Sequence, residues 1–379
     1  MKMKLIHLSD LHIGKRVNEF SMAEDQKYIL NQILEIIDRE QPDCVVIAGD
    51  VYDKSIPSAE AVQILDDFLT RLAGRKIPTA MISGNHDSPE RLSFGAQLMK
   101  ESGIYVSPVY DGQVQSIGFA DEYGEVRVYL LPFLKPATVR HVYEKETVES
   151  YQDAVETAIS HLPLDTSCRN VLVAHQFAAG ASRCESEEMS VGGIDQVDVS
   201  VFDDFDYVAL GHIHSPQSAG RPAVRYCGTP LKYSFSEAGQ QKSVSVVELF
   251  EKGRVEIREV PLTPLRDMRK IRGTYLELTA RSFYQGTNTE DYIQAILTDE
   301  EDIPDGMQKL RIIYPNLMRL EYDNRRTREN RQIQQAADAE EKSEAELFSQ
   351  LYELQNNQPL DEEQKQFLEA VIRQVKGEE

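Results

Sequence analysis

Ile77-Pro78-Thr79-Ala80-Met81-Ile82-Ser83-Gly84-Asn85-His86-Asp87 is an apolar run that ends in a short polar turn. A helix-like stretch follows over residues 89–100. The order is strand, tight turn, helix. In open α/β sheets, ligands gather just outside the carboxyl ends of the strands. Gly84 lets the backbone turn sharply. Asn85 offers a neutral amide oxygen suited to a hard cation. His86 can move a proton near neutral pH, and Asp87 is placed to hold that imidazole in one tautomer. Taken alone, four common residues read as a polar turn, so the flanking chain decides.

The same pattern recurs on both sides. Residues 4–9 predict a short buried strand, with Asp10-Leu11-His12-Ile13-Gly14 as the loop after it. Tyr28, Ile29, Ile33, Ile36 and Ile37 then fall at helical spacing. Residues 43–48 form a near-continuous apolar run that ends in Gly49-Asp50, as in strands buried on both faces of a parallel sheet. A second helix opens at Pro57-Ser58. Further on, residues 114–119 and 126–132 predict an antiparallel pair, and residues 148–162 a helix. Residues 170–174 predict a strand delivering His175, and residues 180–193 a mobile loop. Residues 205–210 predict a strand ending in Gly211-His212-Ile213-His214, and residues 243–250 and 254–261 two more strands. Strand, loop and helix in repetition indicate an α/β class.

Composition sets the outer limits. The 379 residues suffice for one large domain with additions, or for two to three domains. A net charge of -22 favours solubility and disfavours non-specific nucleic-acid binding through bulk charge. Cys44, Cys168, Cys184 and Cys227 form no CxxC pair, so buried free thiols and a reducing cytoplasm are expected. Residues 1–6 carry too short an apolar run for a secretory signal or a membrane span. No later stretch reaches the roughly 18 uninterrupted apolar residues that a span requires. There is no G-x-x-x-x-G-K-[ST] stretch to cradle ATP.

Five strand ends carry metal-type ligands: Asp10 with His12, Asp50, Asn85 with His86, His175, and His212 with His214. Carboxylate, imidazole and amide together suit manganese, iron, zinc or magnesium rather than a thiolate-bound structural zinc. Asp50 can bridge two cations, because its carboxylate has two oxygens. Two metals about 3.5–4 Å apart clamp the attacking and leaving oxygens of a phosphate.

These residues, D-x-H, G-D, G-N-H-D, a lone His and G-H-x-H in that order, resemble the calcineurin-like metallophosphoesterase family. Residues 10–15, 49–53 and 226–231 look most like its branch of bacterial DNA nuclease subunits that work with an SMC-like ATPase. The resemblance implies a two-sheet α/β sandwich flanked by helices, with a small α+β capping module and C-terminal helices. It implies that Asp10, His12 and His214 hold one metal, that Asn85, His175 and His212 hold the other, and that Asp50 bridges. Manganese is expected foremost. It also implies that His86 protonates the leaving oxygen and is oriented by Asp87. Archaeal and eukaryotic relatives carry a histidine where Asp53 stands here, so Asp53 is expected to support a ligand or tune end recognition. Thr229 is read as a phosphate contact or, equally, a turn cap.

The expected division is a catalytic domain over residues 1–262, a small capping and DNA-binding module over 268–320, and partner-binding helices over 325–379. Within the module, residues 273–280 and 309–314 predict strands and 291–297 a helix. Residues 325–331 form a basic knot, able to meet DNA backbone or an acidic partner, and residues 332–346 a polar linker or exposed helix. Leu347, Leu351 and Leu354, then Phe367, Leu368, Val371, Ile372 and Val375, form helical stripes suited to a partner groove. The function expected is a metal-dependent nuclease on double-stranded DNA ends and hairpins. It would act in a complex holding two copies of this chain and two of the ATPase, in the cytoplasm on the nucleoid. Two rivals are a small-molecule or protein phosphoesterase on the same fold and a non-catalytic scaffold.

Overall fold

The Cys44–Ala48 strand is buried along its whole length, which fixes it at the centre of a sheet covered on both faces. A computed structural model describes residues 2–182, 187, 196–325 and 327, together with 348–349, 364–365, 367–368 and 371–372. The chain divides into two compact units, Met1–Arg269 and Lys270–Glu379.

In the first unit, one six-stranded sheet runs in the order Val255–Pro261, Ser243–Leu249, Met3–Leu8, Cys44–Ala48, Thr79–Ile82, Ile104–Val106. The last four are mutually parallel, and Ser243–Leu249 joins Met3–Leu8 antiparallel. The second six-stranded sheet runs Gln217–Ala219, Arg221–Tyr226, Tyr207–Gly211, Arg169–His175, Gly124–Leu130, Gln115–Asp121. Its four inner strands are parallel. Leu5, Val46, Ala80 and Ile82 of one sheet pack with Val128, Val171, Val173 and Ala209 of the other in a single core. The architecture is the expected two-sheet α/β sandwich.

Helices cover the outer faces. Ala23–Glu40 buries Ile29, Ile33, Ile36 and Ile37 on one stripe and has Glu24 and Asp25 in its first turn, where the helix dipole favours acids. Ala59–Gly74 starts where Ser58 accepts the Ala61 N–H. The stretch 89–100, expected as one helix, is two short ones, Pro89–Leu92 and Ala96–Glu101. Gly95, at φ 75°, separates them.

The second unit has a three-stranded sheet in the order Met268–Gly273, Tyr292–Leu297, Leu317–Tyr322. It packs around Leu278, Ile293, Leu310 and Tyr314. The expected α+β class holds, but three of its elements are exchanged. Tyr275–Thr279 is a helix, because Thr274 and Glu277 form a reciprocal capping box. Tyr292–Leu297 is a strand, and residues 309–314 begin in the Gly306–Arg311 helix. Short apolar runs do not reveal their period.

Cys44 and Cys227 are buried and Cys168 is half-exposed. Cys184 and most of the 180–193 loop lie outside the described residues, as do most of the basic knot at 325–331, the 332–346 segment, and Leu347, Leu351, Leu354 and Val375. Phe367, Leu368, Val371 and Ile372 are helical. Among the described residues, no helix is long and apolar enough to cross a membrane.

Candidate metal centre

Parallel strands of both sheets end at one place. The loop after Met3–Leu8 supplies Asp10 and His12, and that after Cys44–Ala48 supplies Asp50. The loop after Thr79–Ile82 supplies Asn85 and His86. Arg169–His175 ends in His175, in register with Gly211 just before His212. All seven expected ligands come together there, and six of them are buried, Asn85 being half-buried.

The turns that bring them in are strained. Asp10, His12, Asp50 and His212 all have positive φ, at 50°, 43°, 47° and 100°. Non-glycine residues there cost of order 1–3 kcal/mol each and persist where the surroundings over-determine them. Gly84 serves differently from the expectation. Its φ is not positive, and it is needed for space: a Cβ there would collide with the Asp50 carboxylate.

Two ligand clusters are visible. In the first, Nε2 of His12 lies 3.1 Å from Nε2 of His214, and one ligand atom from each of Asp10, His12 and His214 lies within 4.8 Å of the others. In the second, Asn85 Oδ1 sits 3.0 Å from both His175 Nε2 and His212 Nδ1. Asp50 stands between, its Oδ2 3.3 Å from His175 Nε2 and 3.8 Å from His12 Nε2. His175 Nδ1 donates to the Ala48 carbonyl at 2.8 Å, which turns its Nε2 into the site. The Asp10 carboxylate accepts the His212 N–H at 3.0 Å, tying the two clusters together.

The electrostatics suit cations. Burial pushes the Asp10 carboxyl up to about 7, and burial holds the His12 and His214 imidazoles well below the ordinary histidine value. Burial also opposes the charge on His175, but the Asp50 carboxylate outweighs it and lifts His175 to about 9. Buried charges persist only when paired or coordinating a metal. Two carboxylates, an amide oxygen and four imidazole nitrogens, all aimed at one pocket of protein, form a donor set that fits divalent cations.

His86 is placed at the rim, with 15% of its side chain exposed and its Nε2 3.9 Å from Asp50 Oδ2. His86 also converges with His12 and Asp50. Its Nδ1 faces the Asp53 carbonyl at 3.1 Å. Asp87 does not orient it. Both Asp87 oxygens are taken by main-chain donors: Val51 at 3.0 Å, Tyr52 at 2.9 Å and Gly84 at 2.9 Å. Asp87 instead staples the Asp50 loop to the Asn85 loop. Burial, with the Asp50 carboxylate beside it, pushes Asp87 up to about 6. The Asp53 carboxylate lies 3.7 Å from His12 Nδ1 and 2.7 Å from Lys15 Nζ.

Thr229 is fully buried; its N–H donates to the His214 carbonyl at 3.1 Å, and its hydroxyl oxygen lies 3.4 Å from both that carbonyl and Glu237 Oε2. It braces a turn and is closed to a phosphate. Sequence reasoning missed Gln26, whose Nε2 donates to the His12 carbonyl at 2.7 Å and to Tyr233 Oη at 3.0 Å. It also missed Lys242, which donates to the His214 carbonyl at 2.8 Å. A buried glutamine on a helix stripe and a buried lysine are the signals, and neither is visible without burial.

Side chains able to hold metal ions, gathered at the ends of parallel strands in two facing mixed sheets, are what a metallophosphoesterase-type centre requires, and the family comparison agrees. A model of the calcineurin-like phosphoesterase family matches residues 3–216, and the chain belongs to that family. A second model, described as type 5 capsule protein repressor C-terminal domain, matches residues 264–356. The chain is 36% identical over 322 residues to the D subunit of the nuclease SbcCD of Staphylococcus epidermidis, covering 84% of this chain and 85% of the relative. Among solved structures, a dimetal phosphatase from Danio rerio matches at 12% identity with a TM-score of 0.44, over 70% of this chain and 98% of the other. The protein TT1561 of Thermus thermophilus matches at 11% identity with a TM-score of 0.40, over 68% and 99%.

Proposed function

We propose that this chain is a metal-dependent DNA nuclease. It acts as an exonuclease on duplex ends and as an endonuclease on single strands and hairpins, in DNA end processing, repair and recombination. The observation that carries the reading is the convergence of seven oxygen and nitrogen ligands in one buried centre. That convergence supports phosphoester hydrolysis, and the name of the Staphylococcus epidermidis relative supports DNA as the substrate.

Asp10, His12 and His214 would hold one cation, Asn85, His175 and His212 a second, and Asp50 would bridge. Manganese suits the mixed ligand set. When bound, such a pair polarises a phosphoryl oxygen and brings the pKa of water towards neutrality. The remaining work falls to the chain. His86 donates Nδ1–H to the Asp53 carbonyl, so Nε2 is the atom that takes up and delivers a proton. In its protonated form it gives that proton to the leaving oxygen. Asp87 keeps the Asp50 and Asn85 loops at fixed separation.

The catalytic domain spans residues 1–262, a DNA-binding module 268–320, and residues 325–379 grip the SMC-like ATPase SbcC, in a complex with two copies of each chain. Phe348, Phe367 and Val371 are exposed apolar residues in that last segment, Phe367 at 73%, which supports a partner-binding role. The partner brings the ATP chemistry. It also offsets the net charge of -22, which by itself repels DNA.

The test is an end-labelled linear duplex incubated with the purified chain, with and without the ATPase, in manganese and then in chelator. Chelator-sensitive shortening is expected. Turnover of bis(p-nitrophenyl) phosphate with no DNA cutting under either condition would make the chain a small-molecule phosphoesterase.

A further inference from the structure

A buried ion pair stands directly behind one of the ligand clusters. Lys242, with 4% of its side chain exposed, lies 2.6 Å from Glu237 Oε2, and Glu237 is fully buried. The same ammonium donates to the His214 carbonyl and to Gln240 Oε1, both at 2.8 Å. Glu237 in turn accepts from the Ser234 hydroxyl at 3.1 Å, and the Thr229 hydroxyl oxygen lies 3.4 Å from its Oε2. The His214 carbonyl therefore receives donors from Lys242 and from the Thr229 N–H.

A buried ion pair is weak evidence for stability, since an apolar pair of the same volume often serves a core as well or better. Its position here suggests another use. His214 lies in an irregular loop between two strands, with no ladder to fix its carbonyl. Its imidazole must nevertheless meet His12 at a set distance.

We propose that Lys242, held by Glu237, is a positioning residue for the cation on Asp10, His12 and His214 and not for the cation on Asn85, His175 and His212. This rests on the two-cation reading given above. The second cluster is braced from elsewhere: His175 by the Ala48 carbonyl at 2.8 Å and Asn85 by its place in the loop stapled through Asp87. Removing the pair therefore loosens one cation and spares the other.

The experiment is a manganese titration of the full chain, following free Mn2+ by electron paramagnetic resonance. It compares wild type, Lys242→Met and the double variant Glu237→Gln with Lys242→Met. The double variant leaves no buried charge unpaired, so it separates positioning from loss of fold. Thr229→Ser, which keeps the hydroxyl, is the conservative control. Wild type and Thr229→Ser are expected to take up two ions tightly. Both Lys242 variants should keep one tight ion and weaken the other by about 10–100-fold, the usual effect of losing a group that orients a ligand. Equal weakening of both ions, or of neither, overturns the proposal. A wild-type chain that takes up no manganese removes the two-cation reading itself, and the proposal with it.

Discussion

Nε2 of His12 faces Nε2 of His214 across 3.1 Å, with both rings buried. Burial keeps both imidazoles neutral at physiological pH. Two neutral ring nitrogens tip to tip share at most one hydrogen, whereas a cation takes both lone pairs. The pair is thus arranged to give both lone pairs to one cation.

Metal uptake should release protons. In the metal-free chain, His175 is lifted to about 9 by the Asp50 carboxylate and Asp10 to about 7 by burial. Both hold protons at pH 6–7 that a cation must displace. Apparent affinity should rise with pH and level off above about 9, since the proton count of the free site falls towards that of the loaded one. Calorimetry at pH 7 in buffers of different ionisation enthalpy would measure the protons released. A heat independent of buffer would contradict this.

His86→Ala should keep both cations and lose about 10²–10⁴-fold in cleavage rate, the usual worth of a positioned acid. Metal analysis beside single-turnover cleavage would show it. If the variant loses a cation, His86 is a ligand and not the acid.

Asp87→Ala should act on stability. It strands the N–H groups of Val51, Tyr52 and Gly84, at about 1–3 kcal/mol for each buried group left unpaired. A lowered melting temperature in the metal-free chain is expected. An unchanged melting temperature with a shifted pH profile would restore Asp87 as the residue that orients His86.

Gly84→Ala should displace the Asp50 carboxylate, which occupies the place of the new Cβ. Because Asp50 faces both clusters, both cations should weaken, unlike the Lys242 variants. The same manganese titration separates the two patterns.

Much of this centre was legible in the sequence, for a physical reason. Strands buried on both faces, such as Cys44–Ala48 and the Val171–Ala174 stretch of Arg169–His175, are apolar along their buried middle, so a polar ligand at their ends stands out. The polar groups behind the site were not legible. Lys242 and Glu237 lie in a stretch, residues 234–242, that reads as solvated loop until its burial is known. The second role of Asp53, holding His86 through its carbonyl, belongs to the backbone and leaves no mark on residue choice. The exchange of strand and helix in the second unit came from six-residue runs such as Tyr292–Leu297, too short to show a period.

The most direct test of the two-cation centre is crystallographic: crystals of the chain grown with manganese, with anomalous scattering recorded at the manganese edge. Two peaks are expected about 3.5–4 Å apart, one against Asp10, His12 and His214 and one against Asn85, His175 and His212, with Asp50 touching both. A single peak, or two peaks that Asp50 does not join, would contradict the account.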